Sequence, residues 1–159
     1  ISLGLVGSEM CIRDSDNTID KWFLETLGVW VSTLNKCEYC VEHHFAGLKR
    51  LLNDDEKATQ IRSAIYTNKI EEAPLENCQK TAMEYARKLT HNPGSIREES
   101  IEKLRADGYT DGEILEINQV CAYFSYANRT VLGLGCSTKG DILGLSPNNN
   151  DDPNDWGHS

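Results

Sequence analysis

Apolar residues recur at helical spacing along almost the whole chain, and no stretch alternates as a half-buried strand would. The first such stretch carries Ile19, Trp22, Phe23, Leu27, Trp30, Val31 and Leu34. A second runs through Phe45, Leu48, Leu51 and Leu52 until Asn53-Asp54-Asp55 stops it and caps a third, predicted over about 55 to 66. Pro74 suits the first turn of a helix reaching about Leu89, which Asn92-Pro93-Gly94 breaks. Ser95 with Glu98 reads as a capping box for a short helix ending near Gly108, and Thr110 with Glu113 repeats the signal. The last helix carries Ile114, Ile117, Val120, Cys121, Phe124, Ala127 and Val131, an apolar stripe that belongs in a core. The pattern predicts an all-α bundle of about six helices, without an internal repeat.

The two ends read differently. Residues 1–15, with no initiator methionine and the run Leu5-Val6-Gly7-Ser8-Glu9-Met10-Cys11-Ile12-Arg13-Asp14-Ser15, look like a translated sequencing adapter. They lack the basic start and small-residue cleavage site of a signal peptide. This segment is expected to be non-native, and the native N-terminus to be absent. From Cys136 on, Gly, Pro, Asn and Asp dominate, so residues 137–159 are expected to form an extended acidic tail whose Ile142, Leu143, Leu145 and Trp156 can dock elsewhere. The helical domain is expected over 16–136.

A formal charge of -9 and a pI near 4.9 disfavour nucleic acid or an anionic membrane as partner. No apolar run approaches the roughly 20 residues of a membrane span. Without Cys11, five cysteines remain, an odd number in a chain large enough to build its own core. That count suits a reducing compartment and one redox pair, and a cytoplasmic location is the default expectation.

Cys37-Glu38-Tyr39-Cys40-Val41-Glu42-His43-His44 is where chemistry concentrates, since Cys37, Cys40 and His44 share one helical face. Asn35 with Glu38 reads as an N-cap and its partner, which would put both thiols in first turns where the helix dipole favours thiolate. Zinc would find Cys37, Cys40 and one of His43 or His44, one short of a structural set; the remaining histidines are His91 beside a turn and His158 in the tail. A thioredoxin fold needs strands that this chain does not offer. Redox chemistry on a helical scaffold remains: a cysteine attacks a peroxide, becomes sulfenic acid, and a second thiol condenses with it. His44 is the candidate base, and Glu25, twelve residues before Cys37 among Trp22, Leu27 and Trp30, is the candidate group to orient it. A solvated, inert Glu25 at a helix edge fits the spacing equally well.

Glu25 and the segment from Val31 to His44 resemble the alkylhydroperoxidase D (AhpD-like) family of the carboxymuconolactone decarboxylase-like superfamily, in its peroxidase-related branch. The family pattern, a glutamate twelve residues before a CxxC and a histidine four after it, is met at Glu25, Cys37, Cys40 and His44. Ala127-Asn128-Arg129 followed by Gly133-Leu134-Gly135 is similar to that branch's last helix and its exit. The resemblance spans 16–136. It implies an all-helical, homo-oligomeric protein with Cys40 as the peroxide-attacking thiol, Cys37 as its partner and proton donor, and Glu25 with His44 as a proton relay. It implies a peroxide substrate and a thiol or lipoyl-bearing protein as reductant, and calls for no cofactor. Tyr39 departs from the family, whose best-studied members carry a histidine between the cysteines; tyrosine does not titrate near neutral pH. The competing readings are a helical binding protein whose CxxC is vestigial and a metal-binding module.

Overall fold

The computed structural model describes residues 18–141, 143 and 144. The adapter-like segment, Cys11, Ile142, Leu145, Trp156 and His158 lie outside the described residues. Among the described residues there are six α-helices, two short 3-10 turns and no strand: α1 Lys21–Leu34, α2 Glu38–Leu52, α3 Asp55–Tyr66, α4 Asn77–His91, α5 Glu98–Ala106 and α6 Asp111–Leu134. The 3-10 turns, Ile70–Glu72 and Pro93–Ser95, flank α4.

Helix α1 is the axis of the bundle. Every residue from Phe23 to Ser32 is buried, so this stretch has no solvent face, and the helix touches α2, α3, α4 and α6. Trp30, 1% exposed, fills the space towards α4, and its indole N–H donates to the Met83 carbonyl at 2.9 Å, so the polar edge of a buried ring is satisfied. The apolar stripe of α6 packs as its spacing implies: Ile114, Ile117, Val120, Cys121 and Phe124 are all buried.

Two helix starts follow their sequence signals. Asp54 caps α3 by accepting the Lys57 N–H at 2.9 Å. At α6, Glu113 accepts the Thr110 N–H at 2.7 Å while the Thr110 hydroxyl oxygen accepts the Glu113 N–H at 3.3 Å.

Three starts are displaced. Helix α4 begins at Asn77 rather than at Pro74, because Ala73 before the proline is extended and Gln79 caps Glu76 instead, its side chain accepting the Glu76 N–H at 3.0 Å. Helix α5 starts after Arg97, since Ser95 is spent on the preceding turn, where its hydroxyl donates to the Asn92 carbonyl. Asn35 closes α1 rather than opening α2, a shift with consequences for the cysteines. Among the described residues no helix is long and apolar enough to cross a membrane.

Candidate active site

The reversal between α1 and α2 is short, and Cys37 is part of it. The Lys36 N–H donates to the Thr33 carbonyl at 3.0 Å and the Cys37 N–H to the Ser32 carbonyl at 2.9 Å, the paired bonds of a Schellman closure. The left-handed residue such a closure demands is Lys36, at φ 58°. The same conformation falls to Asn53 and Asn68 after α2 and α3 and to glycine at Gly108 and Gly135 after α5 and α6, so Lys36 is the one residue of the five that is strained there. Cys37 then serves as the N-cap of α2, and Cys40 sits in its first turn. Glu38, the expected capping partner of Asn35, instead accepts a hydrogen bond from Tyr66 of α3 at 3.2 Å.

The two sulfurs face each other at 2.7 Å. Both cysteines are free thiols, and both are enclosed: Cys37 is 0% and Cys40 5% exposed. A disulfide, at about 2.05 Å, is less than an ångström of travel away.

Glu25 and His44 meet across the α1–α2 crossing, His44 Nδ1 lying 2.8 Å from Glu25 Oε2. A carboxylate only accepts, so Nδ1 carries the proton and Nε2 is the basic nitrogen. Glu25 is 7% exposed, which decides the sequence-level choice in favour of a buried carboxylate over one solvated at a helix edge. The contact exists because two glycines make room for it. A Cβ on Gly28 would stand 2.6 Å from His44 Cγ and Nδ1, and one on Gly47 would stand 3.0 Å from Glu25 Cδ and Oε2. Phe124 of α6 closes the other side of the imidazole, ring centroids 4.2 Å apart.

The chain beyond α6 returns to α2. Tyr39 donates to Asp141 Oδ2 at 2.8 Å, and His43 Nε2 lies 3.5 Å from the same oxygen, with the Tyr39 and His43 rings tilted together at 4.6 Å. Gly144 lies so close to Ala46 and Gly47 that a Cβ on it would be 2.9 Å from Ala46 Cβ. The described residues from Cys136 to Gly144 therefore form a strap across the outer face of α2.

Burial decides the electrostatics of Cys40. Its thiol is pushed up first by loss of water, then by the Cys37 thiol beside it, and further by Cys136 at the start of the strap. Its own backbone N–H, at the start of the helix, pulls the other way and loses. The thiolate expected from the dipole alone is thus not the resting form in this closed geometry. Tyr39 is pushed up to about 12, first by burial and then by its bond to Asp141.

The structure brings the four residues singled out in the sequence together as two pairs, Cys37 with Cys40 at the junction of α1 and α2 and Glu25 with His44 at their crossing. His43 turns to the strap. Cys121 is enclosed in the core, and Cys78 sits at the start of α4 beside Glu76, its thiol 3.8 Å from the carboxylate. Among the described residues, no group of three His, Cys, Asp or Glu side chains is arranged to hold a metal ion. Gly28, Gly47, Phe124 and Asp141 were not singled out from sequence as site residues. The glycines carried one usable signal: each follows Glu25 or His44 by three residues, on the same helical face.

No protein-family profile and no curated protein sequence matches the chain. Solved structures do. An uncharacterized peroxidase-related protein from Silicibacter sp. TM1040 superposes with a TM-score of 0.75 at 26% identity, covering 84% of this chain and 67% of that one. An uncharacterized peroxidase-related protein from Ralstonia eutropha JMP134, an alkylhydroperoxidase AhpD core, superposes with a TM-score of 0.73 at 23% identity, covering 91% and 69%. The chain has the helical fold of these AhpD-like proteins.

Proposed function

We propose that this AhpD-like chain is a thiol-dependent peroxidase that reduces hydrogen peroxide or organic hydroperoxides through Cys37 and Cys40. The observation that carries the reading is the pairing of two touching sulfurs with a buried Glu25–His44 contact on the same two helices. His44 lies one turn beyond Cys40 on one face of α2, and its Nε2 takes the Cys40 proton. The thiolate attacks the distal peroxide oxygen, the O–O bond breaks, and the leaving alkoxide takes a proton from the imidazolium or from Cys37. This gives an alcohol, or water from hydrogen peroxide, and a Cys40 sulfenic acid. Cys37 then attacks the sulfenic sulfur, the S–O bond breaks, hydroxide leaves as water, and a Cys37–Cys40 disulfide remains. A thiol or lipoyl-type protein returns the two electrons.

Glu25 keeps the imidazole in the Nδ1–H form and stabilises its cation, the orienting role of a third group in a nucleophile–base pair. The name of the Silicibacter neighbour, a peroxidase-related protein, supports the same class. The enclosure of both sulfurs and the raised Cys40 thiol favour one competing reading, a helical binding protein whose cysteine pair is inert.

Stopped-flow consumption of hydrogen peroxide and cumene hydroperoxide separates the two. Wild type is expected to turn over with at least one of glutathione, dithiothreitol or a lipoyl protein, and Cys40→Ser to be inactive. Absence of turnover by wild type with all three donors sinks the peroxidase reading.

A further inference from the structure

Five polar side chains are buried among the described residues: Glu25, Thr26, Ser32, Thr90 and Asn128. Thr26 and Thr90 simply return to carbonyls of their own helices, at Trp22 and Ala86. Glu25 is held by His44, and the remaining two, Ser32 and Asn128, meet beside the cysteine reversal.

Asn128 is 0% exposed and stands one turn beyond Phe124, the residue whose ring covers His44. Its Oδ1 accepts the Ser32 hydroxyl at 3.1 Å. Ser32 in turn supplies the carbonyl that holds the Cys37 N–H at 2.9 Å. Helix α6 therefore grips the strained turn that presents Cys37. The other half of the amide is unspent: Nδ2 is sealed from solvent and has no hydrogen-bond partner. A buried donor left unpaired carries the full cost of its desolvation. An apolar residue of similar size would avoid that penalty, so a group of this kind points to a partner present in another state of the protein.

We propose that Asn128 is a positioning residue of the redox pair. Through Ser32 it fixes the turn carrying Cys37, and its spare N–H serves the negative charge that appears on the pair when a thiol ionises. The inference rests on the peroxidase reading for its purpose. The charge it invokes arises in any thiol–disulfide exchange at Cys37 and Cys40, so it can be tested without peroxide. The other titratable groups around the pair are Glu25 from α1, His44 and Tyr39 from α2 and Cys136 after α6.

The test is the rate at which iodoacetamide alkylates the Cys37–Cys40 pair at neutral pH, which reads the small reactive thiolate population, measured on the full chain beside thermal stability. Removing a donor to the thiolate should slow alkylation about tenfold in Asn128→Ala. Asn128→Asp, which replaces the spare donor with a carboxylate, should slow it further. Ser32→Ala keeps the amide and should lower the melting temperature while slowing alkylation much less. If Asn128→Ala does not fold, Asn128→Ser is read by the same two measurements. Variants that lose stability but keep the wild-type alkylation rate would show that Asn128 only packs. A wild type without peroxidase activity would overturn the proposed function and leave this comparison intact.

Discussion

The His44 imidazole lies against Gly28, so close that a methyl group at that position would be 2.6 Å from two ring atoms. The relationship is reciprocal, because Glu25 reaches Gly47 in the same way from the opposite helix, at 3.0 Å from where a Cβ would be. Glycine here is needed for the missing side chain rather than for backbone freedom, since neither residue has a positive φ.

Gly28→Ala should destabilise the fold by about 1–3 kcal/mol, the usual cost of overpacking, although alanine is otherwise the better helix former by up to about 1 kcal/mol. The sign is therefore diagnostic. Gly47→Ala should be milder, because a 3.0 Å approach to a side-chain end can relax. Gly133→Ala in α6, where nothing lies within 4 Å of the new methyl, should be neutral or stabilising. Chemical denaturation of the three variants measures this, and a stabilised Gly28→Ala would mean that α1 and α2 are not in this contact in solution.

Glu25 and His44 should behave as one unit. Glu25→Gln is expected to preserve the fold and slow Cys40 alkylation near neutral pH, because an imidazole without its carboxylate is a weaker base. His44→Ala should do the same. The double variant should be little worse than either single one, whereas fully additive effects would separate the two residues. Alkylation rates across pH decide between these outcomes.

Peroxide treatment should join Cys37 to Cys40 reversibly, given sulfurs already 2.7 Å apart. Peptide mass spectrometry should find that link and its loss with dithiothreitol. Accumulation of Cys40 sulfinic acid with Cys37 still free would remove Cys37 from the resolving role.

Asp141 should control access to the pair. Asp141→Ala removes both the acceptor of the Tyr39 hydroxyl and the carboxylate 3.5 Å from His43, and Tyr39→Phe removes the 2.8 Å bond alone. Freeing the strap should raise Cys40 modification by a bulky maleimide several-fold, more in Asp141→Ala than in Tyr39→Phe, with little change in melting temperature for exposed contacts of this kind. Equal labelling of all three proteins would show that the strap does not limit entry.

Stability should fall on the alkaline side. Burial pushes the Cys121 thiol up to about 12 from an ordinary value of 9.0. Cys40 moves in the same direction. A thiol held protonated by the fold contributes stability that is complete below its unfolded value and is lost as pH rises towards the folded one. The unfolding free energy should therefore be flat up to about pH 8.5 and decline above it, by at most about 1.4 kcal/mol per pH unit for each such thiol, and the melting temperature should fall with it. Cys121→Ala should flatten that decline, and an unchanged alkaline limb in this variant would assign it to other groups.

The helices were legible because their apolar faces repeat at one period, and Cys37, Cys40 and His44 because their spacing falls on one helical face, whereas Glu25 stood out by its apolar surroundings and by the family resemblance. The junction between those helices was not. Asparagine satisfies either end of a helix, and nothing local shows that Lys36 takes the left-handed turn that hands the N-cap to Cys37. The Cys40 thiol was misjudged for a related reason: its place in the first turn is local, whereas the burial that outweighs it comes from the packed bundle. Asp141 and Asn128 lie about a hundred residues from their partners Tyr39 and Ser32, and only tertiary structure joins them.

The paired glycines turn a two-cysteine motif into a longer and more selective signature. Along the chain it is a glutamate, a glycine three residues on, the cysteines nine and twelve beyond that, a histidine four later and a second glycine three after it, as at Glu25, Gly28, Cys37, Cys40, His44 and Gly47. A chain with the glutamate, cysteines and histidine but bulky residues at both glycine positions has no room for carboxylate and imidazole to meet at this helix crossing. Such a chain would have to orient its imidazole by another group, and the two glycines are therefore the positions at which to sort helical CxxC proteins that share this carboxylate–imidazole contact from those that only share its spacing.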